Sequence, residues 1–270
     1  MRSVRPAVPD PGRGKGAARA DRWLFPAVGL ALVAASVAMT VARSAAAPAM
    51  DGMPTSGGAT MSMHTPGGDW PGTAASFLGM WLPMMAAMML PSLLPVLWRY
   101  HCAATRAYAA SPGRSTLLVG LGYFLAWTLA GLAVYPLGRV FGSVVMRLPE
   151  SSRVLAPAAG AIVLLAALLQ FTRWKARLLA CCRASPAHRL EWRGGMVAAF
   201  RCGLRLGRHC IGCCAGATAV LFALGWMDLR VMAAVTVAIT AERIAPGGTA
   251  AMRAVGLVGI VAGVALLARA

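Results

Sequence analysis

Acidic residues and histidines are scarce in this sequence. Eight Asp and Glu residues and four His are distributed over 270 positions, and Glu242 is the only carboxylate inside an apolar stretch that we predict to span a membrane. So few acid–base groups argue against a rich catalytic site and favour a role other than that of an enzyme. The sequence also lacks the glycine-rich loop that binds the phosphates of ATP. Chemistry driven by ATP is therefore not expected.

Positive charge is abundant, but it is not gathered into one patch. The 24 Arg and 2 Lys residues lie in the segments between apolar runs, and the net charge is +18. This distribution is typical of a membrane topology signal rather than of a nucleic-acid interface. Because 59% of the residues are hydrophobic, the lipid bilayer is an expected partner and nucleic acid is not.

Seven apolar runs predict an all-α, polytopic transmembrane helix bundle of about seven spans, or six because the last two runs are weak. The runs cover residues 23–42, 77–98, 115–137, 154–171, 210–226, 229–245 and 254–268. We divide the chain into a disordered basic cytoplasmic arm (1–22), a first transmembrane helix or signal anchor (23–42), a flexible outer loop (43–76) and a multi-span membrane domain (77–270). A cleaved signal peptide is the alternative for the first run, but its apolar core is longer than such peptides use.

The charge asymmetry predicts the orientation. With the N-terminus inside, 20 of the 26 Lys and Arg residues fall on inner segments and six on outer ones. The opposite orientation would reverse this ratio, so we place residues 43–76 outside and residues 173–209 in the cytoplasm. Within the latter, residues 196–206 are predicted to form a separate amphipathic helix on the inner surface.

The run that begins at residue 77 is unusually rich in methionine. Residues four apart share a helix face, so its methionines form two adjacent ladders. Thioethers are soft, neutral ligands that suit Cu(I). Methionine as an adaptable apolar filler is the alternative, but leucine would specify a helix interface better. The predicted ladders are Met80, Met84 and Met88, and beside them Met85 and Met89.

The predicted outer loop carries a second soft-ligand motif. Met61, Met63 and His64 form a Met-x-Met-His pattern in a stretch rich in Gly, Ser, Thr and Pro. Such tracts collect soft metal ions with low specificity. A flexible linker in which the methionines are accidental is the alternative.

All seven cysteines fall on segments assigned to the inner side, so disulfides are not expected. Cys210, Cys213 and Cys214 form a CxxCC motif in which the first and last share a helix face. Cysteines at this spacing bind soft metals as thiolates, although small apolar cysteines also pack well in membranes. We favour metal binding.

Two further polar residues admit two interpretations each. An acid inside a membrane is a functional candidate by default, but Glu242 is followed by Arg243 and the two can form an interfacial ion pair. His101 lies within a basic segment, Arg99 to Arg114, and we expect it to be solvated.

Two motifs together resemble a known family. They are Met80-Trp81-x-x-Met84-Met85-x-Ala87-Met88-Met89-x-Pro91-Ser92 and Cys210-x-Gly212-Cys213-Cys214. The chain resembles, over about residues 75–246, a bacterial family of unknown function described as predicted metal-binding integral membrane proteins. The resemblance implies affinity for a metal, commonly supposed to be copper, and a multi-pass location in the bacterial cytoplasmic (inner) membrane.

Later positions of the family pattern extend the candidate ligand set. Met227, Met232 and Glu242 match it, so the resemblance adds them to the predicted metal residues. Asp228 stands where the family has Asn. Val231 and Ala215 likewise replace aromatic residues of the family pattern.

These observations predict an integral membrane protein that handles Cu(I), in uptake, delivery or homeostasis. Outer Met and His ligands would gather the ion, the Met ladders would hold it, and the Cys cluster would meet it inside. Movement would be driven by a gradient or resemble the action of a chaperone, and a copper chaperone or a copper enzyme is the expected protein partner. The alternatives are a membrane enzyme, an electron-transfer subunit or an assembly partner of a copper enzyme.

The two clusters are expected to act in series rather than to share one ion. Met89 lies nine residues before Trp98, or roughly 14 Å from the inner end of its helix. The Cys cluster is predicted to occupy the first turn of its own helix at that end. Only a sharp kink near Pro91 would bring them together.

Overall fold

The computed structural model describes residues 11–46, 70–106, 111–145, 151–183, 195–225 and 228–269, and this part of the chain is helical without any strand. The predicted all-α class is confirmed. The helices are α1 (Pro11–Ala46), α2 (Trp70–Arg106), α3 (Pro112–Val145), α4 (Ser151–Leu169), α5 (Arg173–Arg183), α6 (Gly195–Leu224), α7 (Leu229–Ile244) and α8 (Gly248–Arg269).

Five of these helices are long and apolar enough to cross a membrane: α1, α2, α3, α6 and α8. The pair α4 and α5 passes the same test together and is bent by 69°, which gives a sixth span if the pair counts as one. Helix α7 has 16 residues, fewer than the roughly 20 that a span needs. The described residues therefore contain five candidate spans, or six with the bent pair. Six is the lower of the two predicted numbers.

Several predicted boundaries move. Helix α1 begins at Pro11, so the second half of the arm that we expected to be disordered is helical. Its Ala and Arg residues are strong helix formers, which explains the extension. At the other end α1 reaches Ala46 and α2 begins at Trp70. The predicted outer loop is thus shortened at both ends, and residues 47–69 lie outside the described part.

Helix α2 occupies the middle of the bundle and packs against α1, α3 and α7. It continues through Pro83, Pro91 and Pro95, as membrane helices do when neighbouring elements satisfy the freed backbone groups. The residues of its central turns, from 84 to 90, are buried apart from a half-buried Ala86. Met84, Met85, Met88 and Met89, which belong to the two predicted ladders, therefore lie inside the bundle.

Helices α3 and α6 approach each other through glycine. A Cβ atom added to Gly203 would lie 2.0 Å from the backbone oxygen of Val119, and one added to Gly122 would lie 2.3 Å from that of Phe200. Only glycine permits such close backbone contact. The predicted separate surface helix at 196–206 is consequently wrong, because this segment packs on α3 as the first part of α6.

Asp228 caps α7. Its side chain accepts hydrogen bonds from the backbone N–H groups of Arg230, at 2.7 Å, and Val231, at 3.4 Å. Asp and Asn are equally good at this position. The replacement of the family's Asn therefore preserves the start of the helix.

Candidate metal centre

A methionine of α2 and a cysteine of α6 meet at the centre of the bundle. The thiol of Cys210 donates to the sulfur of Met89, with 3.8 Å between Sγ and Sδ, and both residues have zero exposure. The predicted separation of the two clusters is wrong. Cys210 lies near the middle of α6, because that helix begins fifteen residues earlier at Gly195.

The three cysteines of the CxxCC motif form one cluster. The sulfurs of Cys210 and Cys214 are 3.9 Å apart, and Cys213 is buried in the same core, together with Cys182 of α5. The hydroxyl of Tyr123, on α3, lies 3.0 Å from the Cys210 sulfur. The sulfur of Cys210 is thus in contact with two others, those of Met89 and Cys214.

Arg243 supplies a positive charge to this cluster. Its Nη2 donates to the sulfur of Cys210 at 2.7 Å and to that of Cys214 at 3.8 Å, and its Nη1 donates to the hydroxyl of Ser92 at 3.0 Å. A guanidinium beside a sulfur favours the thiolate, whereas burial of the sulfur opposes its ionisation. The sequence did not indicate this role, because Glu242, the residue before Arg243, was the expected ion-pair partner of the arginine.

Glu242 has other partners. Its Oε2 forms an ion pair with Lys175 Nζ at 2.9 Å, and its Oε1 accepts from Gln170 Nε2 at 2.9 Å. The alternative in which Glu242 pairs with Arg243 is therefore wrong. Lys175 is buried, although it belongs to the segment 173–209 that we placed in the cytoplasm. A basic residue at helical spacing from Leu179 and Cys182 is the signal that was available.

Among the charged side chains described around the cysteines, Arg243 is the one whose described contacts include no carboxylate. Lys175 neutralises Glu242, while the described contacts of Arg243 are to a hydroxyl and two thiols. A partly buried cation without a carboxylate attracts an anion. The thiolates of Cys210 and Cys214 are the groups placed to provide it.

Comparison with known proteins connects this geometry with copper. Residues 78–266 match the sequence model of the PpoB2 family, which is described as copper chaperone. The chain belongs to the PpoB2 copper chaperone family. The match spans the whole centre, from Met80 to Arg243, and it confirms the expected copper-related role at this level. No curated protein and no solved structure matches the chain.

The other predicted ligands of this PpoB2 family member are distributed around the centre. Met84, Met85 and Met88 are buried with Met89, Met80 is half-buried, and Met232 is buried on α7. The predicted ligands Met61, Met63, His64 and Met227 lie outside the described residues. Of the predicted sulfur ligands that the structure describes, all but the half-buried Met80 are buried inside the bundle.

His101 is not solvated, contrary to the expectation. It is buried, stacks on Phe25 and Trp98 with ring centroids 5.7 and 6.0 Å apart, and lies 3.3 Å from the hydroxyl of Thr116. It belongs to the packing of α1 and α3 on α2.

The part of the chain that the structure describes contains no group of three or more His, Cys, Asp or Glu side chains arranged to hold a metal ion. Methionine is not among these residue types, and the thioether of Met89 is a soft donor in contact with Cys210.

Proposed function

We propose that this protein is a membrane-embedded chaperone for Cu(I) that carries one ion between Met89, Cys210 and Cys214. The single observation that supports this is the contact between Met89 and Cys210 within a cysteine cluster. At a metal–sulfur distance of about 2.3 Å, three sulfurs around a trigonal ion lie about 4 Å apart. The sulfur of Cys210 lies 3.8 Å from that of Met89 and 3.9 Å from that of Cys214, and both distances match that spacing.

Charge favours Cu(I) as the cargo. One monovalent ion with two thiolates and a neutral thioether carries a net charge of −1, which the guanidinium of Arg243 offsets. Zn(II) with the same ligands would be neutral and would leave Arg243 without a counter-charge. Zinc also seldom uses thioethers, whereas Cu(I) prefers soft sulfur donors.

The buried methionines provide a way in. Met80, Met84 and Met88 continue from the centre towards the start of α2, with one side chain at each helical turn. With the N-terminus inside, in a bacterial cytoplasmic membrane, this ladder leads from the outer surface. Met61, Met63 and His64 would gather the ion there, and Met227 and Met232 would border the route.

The recipient is an apo copper protein, either a soluble copper chaperone or a copper enzyme that needs its metal. Delivery by ligand exchange needs no ATP, in agreement with the absence of an ATP-binding loop. The proposal assigns collection of the ion to the predicted outer loop and its binding to the predicted multi-span membrane domain. The helix that opens this domain, α2, begins at Trp70 rather than at residue 77.

Copper binding by purified protein tests the proposal. We expect anaerobically reconstituted protein to retain Cu(I) against a Cu(I)-specific chelator, with three sulfurs around the ion by X-ray absorption. Met89→Leu should lower the sulfur count to two and weaken retention, and Cys210→Ser should abolish the site. Met252→Leu, which changes a buried methionine of α8 that has no part in the proposed site or route, is the matched control. Unchanged copper coordination in both Met89→Leu and Cys210→Ser would overturn the assignment.

A further inference from the structure

Tyr123 is a buried tyrosine of α3 to which the proposed site gives no task. Its side chain has zero exposure, and its Oη lies 3.0 Å from Sγ of Cys210 on α6. Within the described part of the chain, this sulfur is the hydrogen-bond partner of the hydroxyl. Buried hydroxyl groups are almost always hydrogen-bonded, so the polar end of Tyr123 depends on Cys210.

The other contacts of Cys210 give this hydrogen bond its direction. The thiol of Cys210 donates its proton to Sδ of Met89, which has no proton of its own to give. A thiol carries one proton, so the proton between Tyr123 and Cys210 is the phenolic one. The hydroxyl therefore donates to the sulfur, and the thiol in turn donates to the thioether.

A glycine fixes the height of Tyr123 along α6. A Cβ atom added to Gly207 would lie 2.9 Å from the backbone oxygen of Tyr123 and 2.6 Å from the Cβ of Ala126. Only a residue without a side chain permits so close an approach of the two helices. Because Gly207 precedes Cys210 by about one helical turn, the contact holds the backbone of Tyr123 within reach of the sulfur.

The sulfur of Cys210 thus receives donors from two other helices. Arg243 of α7 donates to it through Nη2 at 2.7 Å, and Tyr123 of α3 donates from 3.0 Å. The proton of the thiol points to a third helix, α2, where Met89 lies. An ion placed between Cys210 and Met89 would replace that proton alone and would leave both donors where they are.

We propose that Tyr123 is a positioning residue of the copper site, whose hydroxyl donates to the Cys210 thiolate and holds it in place for Cu(I). The inference rests on the proposed function. When the ion enters, the S–H bond of Cys210 breaks and a copper–sulfur bond forms. The proton passes to the ligand from which the ion arrived, and copper remains Cu(I). Hydrogen bonds of this kind orient a metal ligand and tune its electron donation.

Anaerobic titration of the full chain in lipid nanodiscs with Cu(I), against a competing chelator, tests the role of Tyr123. We expect Tyr123→Phe to bind Cu(I) about 10-fold more weakly, at the low end of the range for such outer groups, because Arg243 still donates to the same sulfur. The ultraviolet thiolate-to-copper charge-transfer band should move to longer wavelength, because the sulfur lone pair loses a hydrogen bond that stabilised it. A purely packing role of the tyrosine would not move this band.

Tyr135→Phe is the matched control. Tyr135 is another buried tyrosine of α3, and its hydroxyl contacts Thr73 and Arg139 rather than a sulfur. Affinity and band should stay at their wild-type values in this variant. If Tyr123→Phe loses its helical circular dichroism, wild-type protein made with 3-fluorotyrosine replaces it. Fluorination makes the hydroxyl a stronger donor, so the band should then move to shorter wavelength.

The outcomes separate this inference from the proposed function. An unchanged affinity or an unmoved band in Tyr123→Phe would overturn the role of Tyr123 and leave the site itself intact. The same holds for equal changes in Tyr123→Phe and Tyr135→Phe, and for an unmoved band in the fluorinated protein. A wild-type chain that binds no Cu(I) would overturn the proposed function, and the role of Tyr123 with it.

Discussion

The sharpest test of the centre is the removal of the charge of Arg243. In Arg243→Gln the sulfurs of Cys210 and Cys214 lose the guanidinium that donates to them at 2.7 and 3.8 Å. A hydrogen bond to a charged group contributes about 1.5–3 kcal/mol. Because the Arg243 side chain is only partly buried, the lower part of that range applies, about 1.5–2 kcal/mol. Cu(I) affinity should therefore fall about 10- to 30-fold.

The assay is competition between the purified variant and a Cu(I) chelator at fixed pH and ionic strength. Arg253→Gln removes an exposed arginine of α8 and should leave the affinity unchanged. Arg243→Lys keeps the charge but not the planar fork, so its affinity should lie between those of the wild type and Arg243→Gln. Equal affinity in the wild type and Arg243→Gln would refute the argument that Arg243 balances an anionic copper–thiolate group.

Three further perturbations test the packing, the buried ion pair and the topology. Gly203→Ala should lower the thermal stability in detergent, because the added carbon would meet the backbone of α3 at 2.0 Å, whereas Gly113→Ala, which has open space around it, should not; equal melting temperatures would contradict this. Glu242→Gln should destabilise the fold by about 3–5 kcal/mol by leaving Lys175 unpaired, and a Lys175→Met/Glu242→Leu double variant should recover most of the loss; a single variant as stable as the wild type would refute it. Ser56→Cys should react with an impermeant thiol reagent in intact cells, and a silent Ser56→Cys beside a reactive inner-loop cysteine would invert the topology.

The sequence was sufficient to predict the helical class and the residues worth testing. Helical spacing put Met85 and Met89 on one ladder and Cys210 and Cys214 on one face, since these relations are local. The structure buries these side chains together. A shared face within one helix follows from periodicity alone, without knowledge of the neighbouring helices.

The relation between helices could not be predicted in this way. The contact of Met89 with Cys210 depends on the axial position of α2 relative to α6. No local sequence pattern determines that position. The arginines before Cys210 suggested that a span begins there. Instead α6 begins at Gly195, and its first part packs closely on α3 through glycine. Likewise, the ion pair of Lys175 with Glu242 joins residues on different helices. The sequence placed Lys175 in a cytoplasmic segment and Glu242 in a predicted span, with no pattern to connect them.

The complete burial of Met89 and Cys210 also bears on timing. A sulfur that solvent does not reach cannot be approached by a free chelator until neighbouring helices separate, and collective motions of that kind take microseconds to milliseconds or longer. If copper is bound there as proposed, its rate of release would be set by the opening of the bundle rather than by the strength of the metal–sulfur bonds. A recipient protein that loosened this packing on docking would then accelerate release without any change in affinity.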